Sequence, residues 1–119
     1  MEIWFNPKCS KCRMTTEALD AAGVSYTVRR YLDDPPTAAE LDETLRALDL
    51  QPWDITRMGE PAAKELGLAD RTHDRDDWIA VLATHPELIQ RPIVVTDDGS
   101  AWITRDPDAV QAVVDRSTP

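Results

Sequence analysis

The chain has 119 residues, 42% of them hydrophobic and 29% charged, which fits one domain over residues 1–119 and leaves no room for a second. Thirteen basic against 22 acidic residues give a formal net charge of -9, which repels phosphate backbones and excludes nucleic acid as an expected partner. No apolar run reaches the ~20 residues of a membrane span, and Met1-Glu2-Ile3-Trp4-Phe5-Asn6-Pro7 lacks the charged start and apolar stretch of a signal peptide. The expectation is a soluble, cytoplasmic protein with no membrane partner.

In chain order, Glu2 to Phe5 predict a short strand that stops at Asn6-Pro7. A loop with both cysteines follows. From Ser10, Met14, Ala18, Leu19 and Ala22 recur at helical spacing, with Gly23 placed to end the helix in a left-handed conformation. Val24, Tyr26 and Val28 alternate with Ser25, Thr27 and Arg29, the pattern of a second strand that ends before Asp33-Asp34-Pro35-Pro36. Thr37 with Glu40 forms a capping box for a helix that buries Leu41, Leu45 and Leu48 and runs to about Leu50.

Residues 52–90 predict helical pieces around Glu60 to Leu66 and Asp76 to Ala83 and carry no strand signal. Trp53, Trp78 and Trp102 read as core anchors, Asp70 to Asp77 as a solvated loop, and His85-Pro86 as a helix-end pair. Ile93 to Thr96, the turn Asp97-Asp98-Gly99, and Ala101 to Ile103 predict a hairpin. A helix from Asp106 or Pro107 to Val114 completes the chain. This order predicts an α/β thioredoxin-like fold: a four-stranded mixed sheet with a helical insertion between a βαβ half and a ββα half.

The only cysteines are Cys9 and Cys12, in Cys9-Ser10-Lys11-Cys12. At a helix N-terminus, unpaired backbone N–H groups and the helix dipole favour a thiolate. Lys8, Lys11 and Arg13 add positive charge nearby. Cys9 is expected to be the exposed nucleophile, with Cys12 one turn further in, placed to resolve a covalent adduct on it. A structural zinc would need two more ligands, and His73 and His85 make no recognised spacing with the pair. No metal or bound cofactor is expected.

Asn6-Pro7-Lys8-Cys9-Ser10-Lys11-Cys12-Arg13 resembles the Asn-Pro-x-Cys-x-x-x-Arg loop of the glutaredoxin-linked arsenate reductases, the ArsC family, which also includes the Spx regulators. Tyr31-Leu32-Asp33-Asp34-Pro35-Pro36-Thr37 matches as well, as do Asp54-Ile55-Thr56-Arg57 with Glu60, Glu65-Leu66-Gly67-Leu68, and His85 through Val95. The resemblance implies that Cys9 attacks arsenate and that Arg57, Arg91 and Arg105 hold the oxyanion. Planar guanidinium groups suit a small tetrahedral anion, because they donate paired hydrogen bonds to its oxygens. The resemblance also implies a cis Arg91-Pro92 bond facing the cysteine loop, with Asn6, Arg13 and Pro92 supporting that loop.

The implied reductant is external: glutaredoxin, thioredoxin or a low-molecular-weight thiol. Two departures stand out. The family often has a histidine before Asn-Pro, where this chain has Phe5, and its reductases usually carry one cysteine in this loop. Cys12 would allow internal resolution to a Cys9–Cys12 disulfide. Two alternatives stay open: an Spx-like redox switch that binds RNA polymerase, and a general dithiol-disulfide oxidoreductase.

Overall fold

The computed structural model describes residues 1–117. They fall into two compact units: residues 1–31 together with the chain from Arg91 onward, and residues 32–90.

The first unit contains strands β1 (Glu2–Trp4), β2 (Thr27–Arg29), β3 (Ile93–Val95) and β4 (Ala101–Ile103), with helices α1 (Ser10–Ala21) and α5 (Pro107–Ser117). The strands form one mixed sheet in the order β2-β1-β3-β4. β1 runs parallel to β2 and antiparallel to β3, and β3 runs antiparallel to β4. Ile3 sits opposite Val94, so their side chains share a face of the pleated sheet. Leu19 of α1 and Val113 of α5 join them in a fully buried cluster, edged by Met1, Phe5, Val24, Tyr26, Trp102 and Val114.

Local chemistry sets the boundaries. Gly23, at φ 70°, ends α1 as expected; its N–H donates to the Asp20 carbonyl and that of Val24 to the Leu19 carbonyl, the paired closure of a left-handed helix end. β2 is shorter than the alternation from Val24 suggests, because its partner strand begins at Glu2, which pairs with Thr27. Val24 and Tyr26 still pack on the core, whereas Val28, on an edge strand, is 49% exposed. The Asp97-Asp98-Gly99 turn forms as expected, with Gly99 at φ 85° and the Thr96 N–H donating to the Ser100 carbonyl at 2.9 Å. Asp106 caps α5 by accepting the Ala109 N–H at 2.8 Å.

The second unit is helical: α2 (Ala38–Leu48), α3 (Pro61–Glu65) and α4 (Arg75–Thr84), with single 3-10 turns at Pro52–Ile55, Leu68–Asp70 and Pro86–Leu88. The capping box is formed, Thr37 and Glu40 exchanging hydrogen bonds at 3.1 Å each. Leu41, Leu45, Trp78, Ile79 and Leu82 are buried where α2 packs on α4. Among the described residues the block holds no strand, as expected, only one isolated antiparallel bridge, Thr56 with Ile89. One expectation needs correction. The 70–77 stretch is not merely solvated: Arg71 grips Asp77 at 2.7 and 2.8 Å, Arg75 reaches Asp42, and the His73 ring stacks on Trp53 at 4.2 Å. Among the described residues, no helix is long and apolar enough to cross a membrane.

Candidate active site

Where β1 ends, Asn6 shapes the turn into α1. Its side-chain oxygen accepts the Lys8 N–H at 3.0 Å, and its carbonyl accepts the Cys9 N–H at 2.9 Å. The Arg13 guanidinium returns from the first turn of α1 to the Pro7 carbonyl at 2.9 Å. This loop delivers Cys9 as the N-cap of α1, with extended backbone angles. Cys9 is 5% exposed and Cys12 is 0% exposed, so Cys9 is more recessed than its expected role as the exposed sulfur suggests.

The two thiols are driven in opposite directions. Burial by itself would push the Cys9 thiol up. The Cys12 backbone N–H, the Arg91 guanidinium, the Cys12 thiol and the Lys11 backbone N–H together outweigh burial and bring its pKa down to about 7. The Cys9 side chain accepts no conventional N-cap hydrogen bond. As a thiolate it takes the helix N–H groups, the behaviour of an anion at a helix N-terminus. Burial pushes Cys12 up to about 12, helped by its hydrogen bond to Cys9 and by that neighbour's charge; the Asn6 backbone N–H and the Arg91 charge oppose the rise. Near neutral pH Cys9 is therefore partly ionised, far more than an ordinary cysteine, while Cys12 stays a protonated donor beside it.

Arg91 precedes β3, and the Arg91–Pro92 bond is cis. At the far end of the hairpin, the Thr104 N–H donates to the Pro92 carbonyl at 3.3 Å, and Arg105 Nη1 donates to the Arg91 carbonyl at 2.7 Å. The first unit thus brings together Cys9, Cys12, Asn6, Arg91 and Arg105. Arg57 belongs to the second unit, where its Nε meets Glu60 at 3.2 Å and its Nη1 meets Gln90 at 3.0 Å.

The groups acting most strongly on Cys9 are backbone N–H groups and Arg91 rather than the Lys8 and Lys11 side chains. Phe5 packs on the apolar core. One residue to which sequence reasoning gave no role belongs here: Tyr31, fully buried, whose phenol is pushed up by burial and responds also to Arg91, Asn6, Cys12 and Cys9. Its only signals were its place after a strand and at the head of the Tyr31 to Thr37 segment that matches the family. Among the described residues, no three His, Cys, Asp or Glu side chains group in a way that could hold a metal ion.

Comparison with known proteins places this arrangement. The model of the ArsC family matches residues 4–113. The chain is 53% identical over 119 residues to a Streptomyces viridochromogenes protein described as "Uncharacterized protein in glnII region", covering 98% of this chain and 100% of that one. It is 35% identical to an arsenate reductase of Neisseria meningitidis, over 96% of this chain and 97% of the relative. An arsenate reductase structure from Vibrio cholerae superposes with a TM-score of 0.86 at 38% identity, covering 95% and 98% of the two chains. With the fold, the cysteine loop and nearly the full length in agreement, the chain belongs to the ArsC family.

Proposed function

We propose that the protein is a thiol oxidoreductase that reduces arsenate, working as one functional domain over residues 1–119, with Cys9 as nucleophile, Arg91 and Arg105 on the oxyanion, and Cys12 as resolving thiol. The observation that carries this reading is the Cys9 sulfur itself, brought to a pKa of about 7 with Arg91 as one of its hydrogen-bond donors. The same guanidinium that stabilises the thiolate is suited to bind a tetrahedral anion presented to it. Arg57 is assigned the third guanidinium by its family position. Asn6, Arg13 and Pro92 hold the loop and the approach to β3.

In the first step the Cys9 thiolate bonds to arsenic, and one arsenate oxygen leaves as water after taking up protons. A second thiol then attacks the Cys9 sulfur. The S–S bond forms, and the electron pair of the S–As bond stays on arsenic. As(V) becomes As(III), which departs as arsenite. An external reductant of the glutaredoxin, thioredoxin or small-thiol class restores the dithiol.

The deciding experiment measures arsenite release by reduced protein supplied with each of these thiol systems. Release by the wild type, loss with Cys9→Ser, and loss with Arg91→Ala are expected. No arsenite with any thiol system would overturn the assignment. The hydrogen bond between the two sulfurs favours a second reading, a dithiol switch or general dithiol oxidoreductase. Disulfide turnover unaffected by Arg91→Ala would point there.

A further inference from the structure

Tyr31 lies two residues beyond β2. Trp4 pairs with Arg29, and the Phe5 N–H donates to the Arg29 carbonyl at 2.8 Å, so the parallel register carried forward sets Tyr31 level with Asn6. The residue is 0% exposed, and its phenol oxygen has no hydrogen-bond partner among the described residues. Burial raises its pKa most; Arg91 and the Asn6 side chain lower it, and Cys12 and Cys9 raise it further. Asn6 acts on the phenol without reaching hydrogen-bond geometry.

These are also the surroundings of Cys12, which responds to Asn6, Cys9 and Arg91. A buried hydroxyl without a partner costs about 1–3 kcal/mol, and phenylalanine would fill nearly the same volume without that cost. An orphan hydroxyl that feels the charge of both sulfurs therefore calls for a state in which it is satisfied.

We propose that Tyr31 is the positioning residue for Cys12: once the Cys9 sulfur is held in a covalent bond, the phenol O–H donates a hydrogen bond to the Cys12 sulfur and stabilises it as the attacking thiolate. This rests on the reading of Cys12 as resolving thiol. In the resting site, the Cys12 thiol is engaged with the Cys9 thiolate and is kept protonated by that neighbour's charge. Both effects end when the Cys9 sulfur becomes bonded and neutral. Burial still opposes ionisation of Cys12, while the Asn6 backbone N–H, the Arg91 charge and the Tyr31 hydroxyl favour it. The Cys12 proton passes to solvent, the Cys12–Cys9 bond forms, and the bond from Cys9 to its adduct breaks with the electron pair leaving on the adduct. If the adduct is arsenic, it leaves as As(III); if a thiol, as thiolate.

The chromogenic disulfide dithiobis(nitrobenzoate) separates the two steps. Attack by Cys9 releases one thionitrobenzoate, and attack by Cys12 on the mixed disulfide releases the second. For Tyr31→Phe, the second release is expected to slow by about tenfold near neutral pH, the loss of roughly one hydrogen bond to an ionised group. Its pH midpoint should rise, while the first release stays within about twofold and the melting temperature is unchanged or higher.

Three results would overturn the proposal: an unchanged second release and pH profile, a second release that persists in Cys12→Ser, or a parallel fall in both releases with lost thermal stability. The probe carries no arsenic. Failure of the arsenate assignment would appear as absent arsenite with the Tyr31-dependent second release intact.

Discussion

Arg105 Nη1 donates to the Arg91 carbonyl oxygen at 2.7 Å, so one candidate anion-binding guanidinium holds the backbone of the other. One N–H of the Arg105 fork is thus committed to the backbone that carries Arg91, and four donors remain on the guanidinium. Arg105→Ala is expected to cost about 1–2 kcal/mol in chemical denaturation, the range for a partly buried charge-assisted hydrogen bond, and to lower activity more than tenfold, the scale for losing one donor to developing charge. Arg105→Lys should recover most of the stability, because a single ammonium can reach the carbonyl, and little of the activity. Equal recovery of both would show that the fork geometry is irrelevant.

Alkylation of the reduced protein with iodoacetamide across pH reports the Cys9 thiolate. The wild-type rate should turn on with a midpoint near pH 7, the value to which the site lowers the Cys9 thiol. Arg91→Gln removes a donor and a positive charge, so the midpoint must move up, and the rate at neutral pH should fall by at least about threefold. An unchanged midpoint would leave the helix N–H groups and the Cys12 thiol as the whole cause.

The same shifts make stability depend on pH. Cys9 has its ordinary value near 9 lowered to about 7 in the fold, so between those values the unfolded chain binds more protons and stability rises with pH. Cys12 is raised from near 9 to about 12, so above pH 9 its contribution falls as pH rises. Measured as wild type minus a Cys9→Ser, Cys12→Ser double variant, the denaturation free energy should increase from pH 7 to about 9 and then decline. A flat difference would deny the sulfur pair its charge asymmetry.

Thr15 and Thr104 share a buried hydrogen bond between their hydroxyls at 2.8 Å, and Thr15 also donates to the Lys11 carbonyl at 3.0 Å. This ties α1, just behind Cys12, to the residue before Arg105. Thr104→Val is expected to cost about 1 kcal/mol. Thr15→Val combined with it should cost less than the sum, by roughly 0.5–1 kcal/mol, since each single variant takes a partner from the other hydroxyl and the double variant leaves neither hydroxyl stranded. Strict additivity would mean that the bond is energetically silent.

Much of this arrangement was legible from residues with strong local rules. Asn6-Pro7, Gly23 and the Thr37/Glu40 capping box mark boundaries through short-range chemistry, and the structure follows them. The cis Arg91–Pro92 bond was anticipated only through family resemblance. What escaped depends on distant partners. The length of β2 is set by where β1 begins, and the Thr15 to Thr104 contact joins residues at opposite ends of the chain. The burial of Tyr31 leaves no trace in a segment that continues Leu-Asp-Asp-Pro-Pro.

The central strand β1 has β2 on one side and β3 on the other, and β3 comes from residues more than eighty positions later in the chain. During synthesis from the N-terminus, the strand, the cysteine loop and α1 emerge together, while Arg91 and β3 arrive only near the end. Until then Cys9 lacks one of the side-chain donors that hold it as a thiolate, and neighbouring strand edges are unpaired. Full reactivity of this sulfur is thus a property of the finished protein, and the half-made chain carries a less reactive thiol through the stage at which exposed edges are most prone to wrong partners.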